Sequence, residues 1–194
     1  PSYYRNNKKR KRPVNSKDIE FRKYKPDHYL DSLFSTVVLS DLRVAGIISQ
    51  GLSENFENGK IEKSFKKLFI WLSKSNLIKK DMFVMGITLD TPEIVSFTEC
   101  RYFACVPADE NFKSSGEISV RTFPTKGEYI KFSLERTKSD FAKTFFDITD
   151  YLYGFYMPNM LYYPDNRPFV ELYEQNDSKM IINFHIPVKN ARHA

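Results

Sequence analysis

The body of this sequence runs through one pattern twice, and that repeat restricts its possible folds more than any other feature. Displacement by 80 positions sets Phe65 on Phe145, Leu68 on Ile148, Trp71 on Tyr151 and Leu72 on Leu152, and Val106-Pro107 on Ile186-Pro187. Displacement by 81 sets Gly46 on Gly127. Ile61, Phe65, Leu68, Phe69 and Leu72 fall at helical spacing and predict an amphipathic helix over about 58–76. Phe141, Phe145, Ile148, Leu152 and Phe155 form the matching stripe in the second half. Strands are expected within 36–49 (best at 43–48), then at 82–89 and 101–107, and in the second half at 117–123, 128–135, 169–174 and 180–188. Residues 18–25 alternate as a possible first strand, and 26–36 read as a connection. The unit is strand, helix, strand, strand, used twice. Such a unit buries its apolar face poorly alone, so two are expected to pair about a pseudo-two-fold axis. The predicted fold class is α+β: one continuous antiparallel sheet, with two helices flanking a central groove.

Charge divides the chain unevenly. Residues 1–25 hold ten Lys/Arg against two Asp/Glu, whereas residues 26–194 hold twenty against twenty-two. The excess lies in an arm, Arg5-Asn6-Asn7-Lys8-Lys9-Arg10-Lys11-Arg12, and the body is slightly acidic. A body of this sign offers no general field for nucleic acid, while the arm does. The arm, residues 1–16, reads as a solvated tail, as a nucleic-acid-contacting linker, or through Lys8–Arg12 as a nuclear address. The chain begins at Pro1 rather than Met and reads as a processed or truncated piece, with residues 17–194 as the folded domain. The longest uncharged run, Tyr151–Pro164, has fourteen residues and is too short for a helix to cross a bilayer, so no membrane partner is expected. Two cysteines, Cys100 and Cys105, make neither a disulfide framework nor a four-ligand zinc site. On one strand their odd separation puts them on opposite faces, and a reducing cytoplasm is the expected compartment.

No GxSxG, HExxH or GxGxxG is present, and Gly46-x4-Gly51 is followed by Leu52 instead of a phosphate-loop lysine. The histidines His28, His185 and His193 are scattered, and His185 reads as structural. No catalytic residue, metal ligand or cofactor is assigned. The informative segment is Pro168-Phe169-Val170-Glu171-Leu172-Tyr173. On a strand, Phe169, Glu171 and Tyr173 share one face and Val170 and Leu172 the other. A carboxylate between aromatic rings is a receptor for an organic cation, since the rings offer cation–π contact and the acid offers charge. The plain alternative is a half-exposed strand with Glu171 in water. Trp71 lies about 60° from Leu68 on the helical wheel, off the core stripe, and Tyr151 occupies the matching place. These two either wall the groove or pack at the edge of the core.

Several segments resemble GyrI-like small-molecule-binding domains. Arg101-Tyr102-Phe103-Ala104-Cys105-Val106 is similar to that family's R-Y-D-A-C-hydrophobic strand, with Phe103 where Asp is common. Phe123–Tyr129 resembles its I-P-x-G-x-Y turn, with one extra residue between Pro124 and Gly127. Pro168–Tyr173 resembles P-x-x-E-x-Y, Ile186-Pro187-Val188 the closing hydrophobic-P-V, and Gly86–Glu93 the G-hydrophobic-x-x-D-x-P-E stretch. The resemblance covers roughly residues 17–190, in order, and implies the same duplicated fold with Glu171 as a pocket residue. Pro1-Ser2-Tyr3-Tyr4-Arg5 resembles the P-x-x-[YF]-R that closes the helix-turn-helix domain of AraC-type regulators. That implies an effector domain whose DNA partner is met through a domain upstream of Pro1.

The expected function is therefore sensing of a hydrophobic, possibly cationic, small molecule in the groove, rather than catalysis. Glu171 is the expected counter-charge, with Trp71, Tyr102, Tyr151, Phe169 and Tyr173 as the aromatic wall. Two alternatives stay open. One is a hydrolase in which Glu171 activates water and Tyr102 or Tyr151 donates a proton. The other is a protein-binding module like the gyrase-inhibitor relatives. Since residues 1–16 lack apolar periodicity, deleting them should leave the melting temperature nearly unchanged in a thermal scan. A loss of several degrees would show that the arm is folded onto the body.

Overall fold

A computed structural model describes residues 25–51, 59–79, 82–90, 95–96, 98–136, 140–176 and 179–191. The basic arm and all but the last residue of the strand expected over 18–25 lie outside them. In chain order the elements are α1 (His28–Ser32), β1 (Ser35–Leu39), β2 (Leu42–Gln50), α2 (Lys60–Lys74), β3 (Val84–Thr88), β4 (Arg101–Pro107), β5 (Ser119–Phe123), β6 (Gly127–Glu135), α3 (Phe141–Tyr151), β7 (Tyr162–Pro164), β8 (Phe169–Asn176) and β9 (Lys179–Asn190). The expected α+β class and both helices are present. Three elements were not expected from the pattern: α1, β1 and β7 are each five residues or shorter, too brief to show a period.

The strand order is β1-β6-β9-β8-β3-β4-β2-β5, and every pairing is antiparallel. This order is its own mirror when β1 trades with β5, β2 with β6, β3 with β8 and β4 with β9. Each half thus supplies a strand–helix–strand–strand unit, β2-α2-β3-β4 and β6-α3-β8-β9, and the units join where β3 meets β8. The remaining strand of each half crosses to the other: β1 pairs with β6, and β5 with β2. Only Ser40 and Asp41 connect β1, at one edge, to β2 beside the other edge. Three peptide links span about 11 Å at most, so the sheet must curl until its edges approach. The two crossovers meet there: the fully buried Thr125 donates its hydroxyl to the Ser40 carbonyl at 2.6 Å, and the Lys126 N–H donates to Asp41 Oδ1 at 2.9 Å.

The pairing registers correct one detail of the repeat. Ala45 pairs with Val106, and Ile130 pairs with Ile186. With Val106 set on Ile186, Ala45 therefore corresponds to Ile130 and Gly46 to Lys131, not to Gly127. The helix–strand connections differ in length between halves, so no single displacement serves the whole unit.

Alternation divides each strand between two faces. On the helix face, Leu68 and Leu72 of α2 pack on Ala45, Ile47 and Val106, and Ile148 and Leu152 pack on Ile130, Phe132, Phe184 and Ile186. On the opposite face, Val44, Met85, Ile87, Phe103, Cys105 and Val170 form one core shared by both halves. Cys105 lies in that core, while Cys100 packs with Tyr102 and Ala104, so the two thiols are on opposite faces as the spacing requires. His185 is buried there, with Nδ1 3.2 Å from the Val170 carbonyl oxygen. Burial pushes its pKa down, as suits a neutral structural histidine.

The helix α3 runs on through a wider π-helical turn, Leu152–Tyr156, into Met157–Asn159. Pro158 has no N–H to give the preceding turn, and the widening falls just before it. Among the described residues no helix is long and apolar enough to cross a membrane. Gly46 lies in β2 where an added Cβ would stand 2.6 Å from Cys105 Cβ, 2.8 Å from Cys105 Cα, and against the Ala104 carbonyl oxygen. Gly46→Ala should therefore force β2 and β4 apart and destabilise the protein by roughly 1–3 kcal/mol, measured by urea unfolding. Unchanged stability would mean that the strand spacing adjusts freely there.

Candidate functional site

The two halves meet in a short antiparallel ladder. Ile87 pairs with Val170, Gly86 with Glu171 and Met85 with Leu172. Adding 85 to Met85 and Ile87 gives Val170 and Leu172, so the outer two pairs exchange and the middle pair maps onto itself. The pseudo-two-fold axis therefore passes through Gly86 and Glu171. Strand parity puts Glu171 on the helix face, between α2 and α3.

One half contributes a carboxylate at the axis and the other contributes no side chain. The emptiness of Gly86 is filled by Tyr102 of β4, whose ring reaches across β3, and a Cβ on Gly86 would overlap the Tyr102 hydroxyl. Tyr102 is 2% exposed. Its Oη donates to Glu171 Oε2 at 2.7 Å. Tyr173, two residues along β8 on the same face, donates its Oη to the same Oε2 at 2.6 Å. The two phenolic oxygens are themselves 2.7 Å apart. Oε1 takes no hydrogen bond from the described residues.

This triangle has two phenolic protons for three short contacts while Glu171 is ionised, and a proton on Glu171 would complete the ring. The residue keeps some exposed surface, but its carboxyl lies deep enough that burial pushes the pKa up. The Tyr173 and Tyr102 hydroxyls and the charge of Arg136 pull the other way without cancelling that effect. Both phenols are held well above their ordinary pKa by burial and by the Glu171 charge, so they remain donors.

The remaining expected wall residues are distributed unevenly. Phe169 shares the Glu171 face, half-buried against the α3 core, paired with Thr88. Phe65 of α2 joins the cluster by standing edge-on to Tyr173, with ring centroids 5.4 Å apart. Trp71 lies about 120° around α2 from Phe65 and packs on Phe112, in the connection between β4 and β5, at 6.2 Å. Tyr151 is buried under α1, donates to Asp31 Oδ1 at 2.8 Å and accepts from the Asp27 N–H at 3.1 Å. It stacks on Phe34 and Phe155. The structure thus brings Glu171, Tyr102, Tyr173 and Phe169 to one face and gives Trp71 and Tyr151 separate surroundings.

The sequence reading left out Phe65 and Gly86 as site residues. Phe65 was counted in the core stripe, and a wheel does not say which flank faces the partner half. A glycine inside an apolar strand marks close approach by something else, and Gly86 carried that signal. Clefts of about 450 Å³, beside Gly127 and Arg167, and about 230 Å³, beside Ser49 and Lys63, lie outside this cluster. No group of three or more metal-ligating side chains occurs among the described residues.

The sequence profile of the Cass2 family, integron-associated effector binding protein, matches residues 37–188. YosT of the SPbeta prophage in Bacillus subtilis (strain 168), named as a transcriptional regulator, is 32% identical over 100 residues. That alignment spans 52% of this chain and 64% of YosT, less than two thirds of the relative's length. Among solved structures, the EcmrR C-terminal domain superposes with a TM-score of 0.57 at 10% identity, over 81% of this chain and 98% of that one. SAV2435 bound to tetraphenylphosphonium gives 0.56 at 17% identity, over 82% and 96%. A hydrolase from Listeria innocua gives 0.53 at 11% identity, over 80% and 91%. At these identities the likeness is one of fold.

Glu171 contributes to folding in a pH-dependent way. Its carboxyl binds a proton more readily folded than unfolded, so stability falls as pH rises from the ordinary carboxylate range through the raised value. Tyr102→Phe and Tyr173→Phe each remove a donor to the ionised form and should raise the Glu171 pKa further, by carbon-detected NMR titration. A pKa that stays put in both variants would show that the hydroxyls do not hold the carboxylate.

Proposed function

This chain belongs to the Cass2 family of integron-associated effector-binding proteins, and from that premise we propose that it is the effector-sensing module of a transcription regulator. Its ligand is a hydrophobic, cationic small molecule that meets Glu171 on the helix face. The observation that carries this reading is the position of Glu171: a buried carboxylate on the symmetry axis, with one oxygen held by two phenols and the other left for a partner. The rings of Phe65, Tyr173 and Phe169 on the same face supply cation–π and apolar contact. An organic cation would return the charge partner that burial denies the carboxylate. Tetraphenylphosphonium, bound by SAV2435, is a cation of this chemistry.

The site also suits signalling. A ligand at the β3–β8 seam touches both halves and so favours one arrangement of them over another, which is the condition for shifting an equilibrium. The readout would pass to a DNA-binding segment attached before the basic arm, as the resemblance to AraC-type regulators implies. The slightly acidic body supplies no field of its own for DNA. A hydrolytic reading uses the same Glu171–Tyr102 contact, with Glu171 taking a proton from water and Tyr102 giving one. Tyr151, engaged with Asp31, has no part in it.

Calorimetry with tetraphenylphosphonium and neutral triphenylphosphine oxide tests the sensing reading. Glu171→Gln preserves shape and removes the charge. It should weaken the cation by roughly 1–3 kcal/mol and leave the neutral probe nearly unaffected. Equal losses for both probes would make Glu171 structural, and steady turnover of an ester or epoxide probe that Glu171→Gln abolishes would favour the hydrolase.

A further inference from the structure

Arg136 follows the last residue of β6, and its N–H donates to the Met180 carbonyl at 2.8 Å, which anchors its backbone to β9. It continues the parity of Phe132 and Leu134, which places it on the helix face with Glu171. Its guanidinium Nη2 lies 3.1 Å from Glu62 Oε1, in the first turn of α2. This contact ties the second half to the helix of the first, on the flank of α2 that also carries Phe65. Both partners remain largely exposed, with side-chain exposures of 42% and 68%, and a pair this exposed is weak. The positive charge of Arg136 is nonetheless felt in the site, since it lowers the pKa of both Glu171 and Tyr173 against the effect of burial. Glu171 Oε1 has no hydrogen-bond donor among the described residues, and Arg136, level with Met180 and Gln175 on the same face, is a cation whose charge acts on that carboxylate.

We propose that Arg136 is a tethered competitor for the ligand cation, and that Glu62 determines how strongly it competes by holding the guanidinium at the mouth of the groove, away from Glu171. This rests on the reading of Glu171 as the counter-charge of a cationic ligand and adds a selectivity element to it. With Glu62 in place, the carboxylate is open to an external cation that can displace a weakly held arginine. Without Glu62, the guanidinium turns onto Oε1, and ligand charge is no longer rewarded.

The two single substitutions then act in opposite directions, and the double variant identifies the cause. Arg136→Gln should tighten tetraphenylphosphonium about 3- to 10-fold, the scale of one charge acting through a partly hydrated groove. Glu62→Gln should loosen it by a similar factor. Combined with Arg136→Gln, Glu62→Gln should have almost no further effect, because no arginine remains to be released. Triphenylphosphine oxide should be indifferent to all three. In the ligand-free protein, carbon-detected titration should show the Glu171 pKa rising in Arg136→Gln and falling in Glu62→Gln. If both single variants bind the cation as wild type does, within about twofold, while Glu171→Gln still weakens it, the competitor role is overturned and the cation site stands. If wild type binds neither probe, the cation site falls. The Glu171 titration in the empty protein then decides the Arg136–Glu62 partition alone, and an unmoved pKa in both variants overturns it.

Discussion

The pairing of β3 with β8 is the contact on which the rest of this molecule depends. Among the described residues it is the ladder that joins the two strand–helix–strand–strand units through their inner edges, and it makes two poorly buried sheets into one. The short connection from β1 to β2 then curls that one sheet, and the crossovers meet at Thr125 and Asp41. The strand exchange of β1 and β5 reinforces it, because each half is also paired to the other at its outer edge.

The centre of that ladder is also where the symmetry must break. Gly86 and Glu171 face each other across the axis. Two glutamates there would confront one another in a buried place, and both could not ionise. A glycine opposite a glutamate avoids that repulsion and opens room for Tyr102, which turns an empty position into a hydrogen-bond donor aimed at the carboxylate. The duplicated fold is thus symmetric in its strands, and the unequal pair at its centre leaves a single acid on the axis.

The environment of Glu171 balances opposing influences. Burial disfavours its charge, while two phenols and Arg136 favour it. A carboxylate in that state is poised to gain from one more positive neighbour. Arg136 itself is paired with Glu62, in an exposed contact that little energy is needed to open. The aromatic residues divide by role rather than by type: Tyr102 and Tyr173 hold the acid, Phe65 stands on Tyr173 and Phe169 shares the face, whereas Trp71 seats α2 on Phe112 and Tyr151 fastens α1 to α3.

Local periodicity carries real information here, and it reaches as far as faces. The two helical stripes, the duplicated order and the placement of Glu171 with Phe169 and Tyr173 opposite Val170 and Leu172 are properties of spacing alone, since a strand alternates and a helix turns by fixed amounts. Strand alternation and the family motif together added Tyr102. The short elements β1, β7 and α1 left no period to read, and Gly46 was set on the wrong partner because the connections in the two halves differ in length. Which faces meet was decided only in three dimensions. A helical wheel shows that Phe65 and Trp71 stand on different flanks of α2, and only the register of β3 on β8 makes the first a neighbour of Tyr173 and leaves the second on Phe112. The reach of Tyr102 over Gly86 and the bridge from Arg136 to Glu62 join residues far apart in the chain, whose proximity no local pattern encodes.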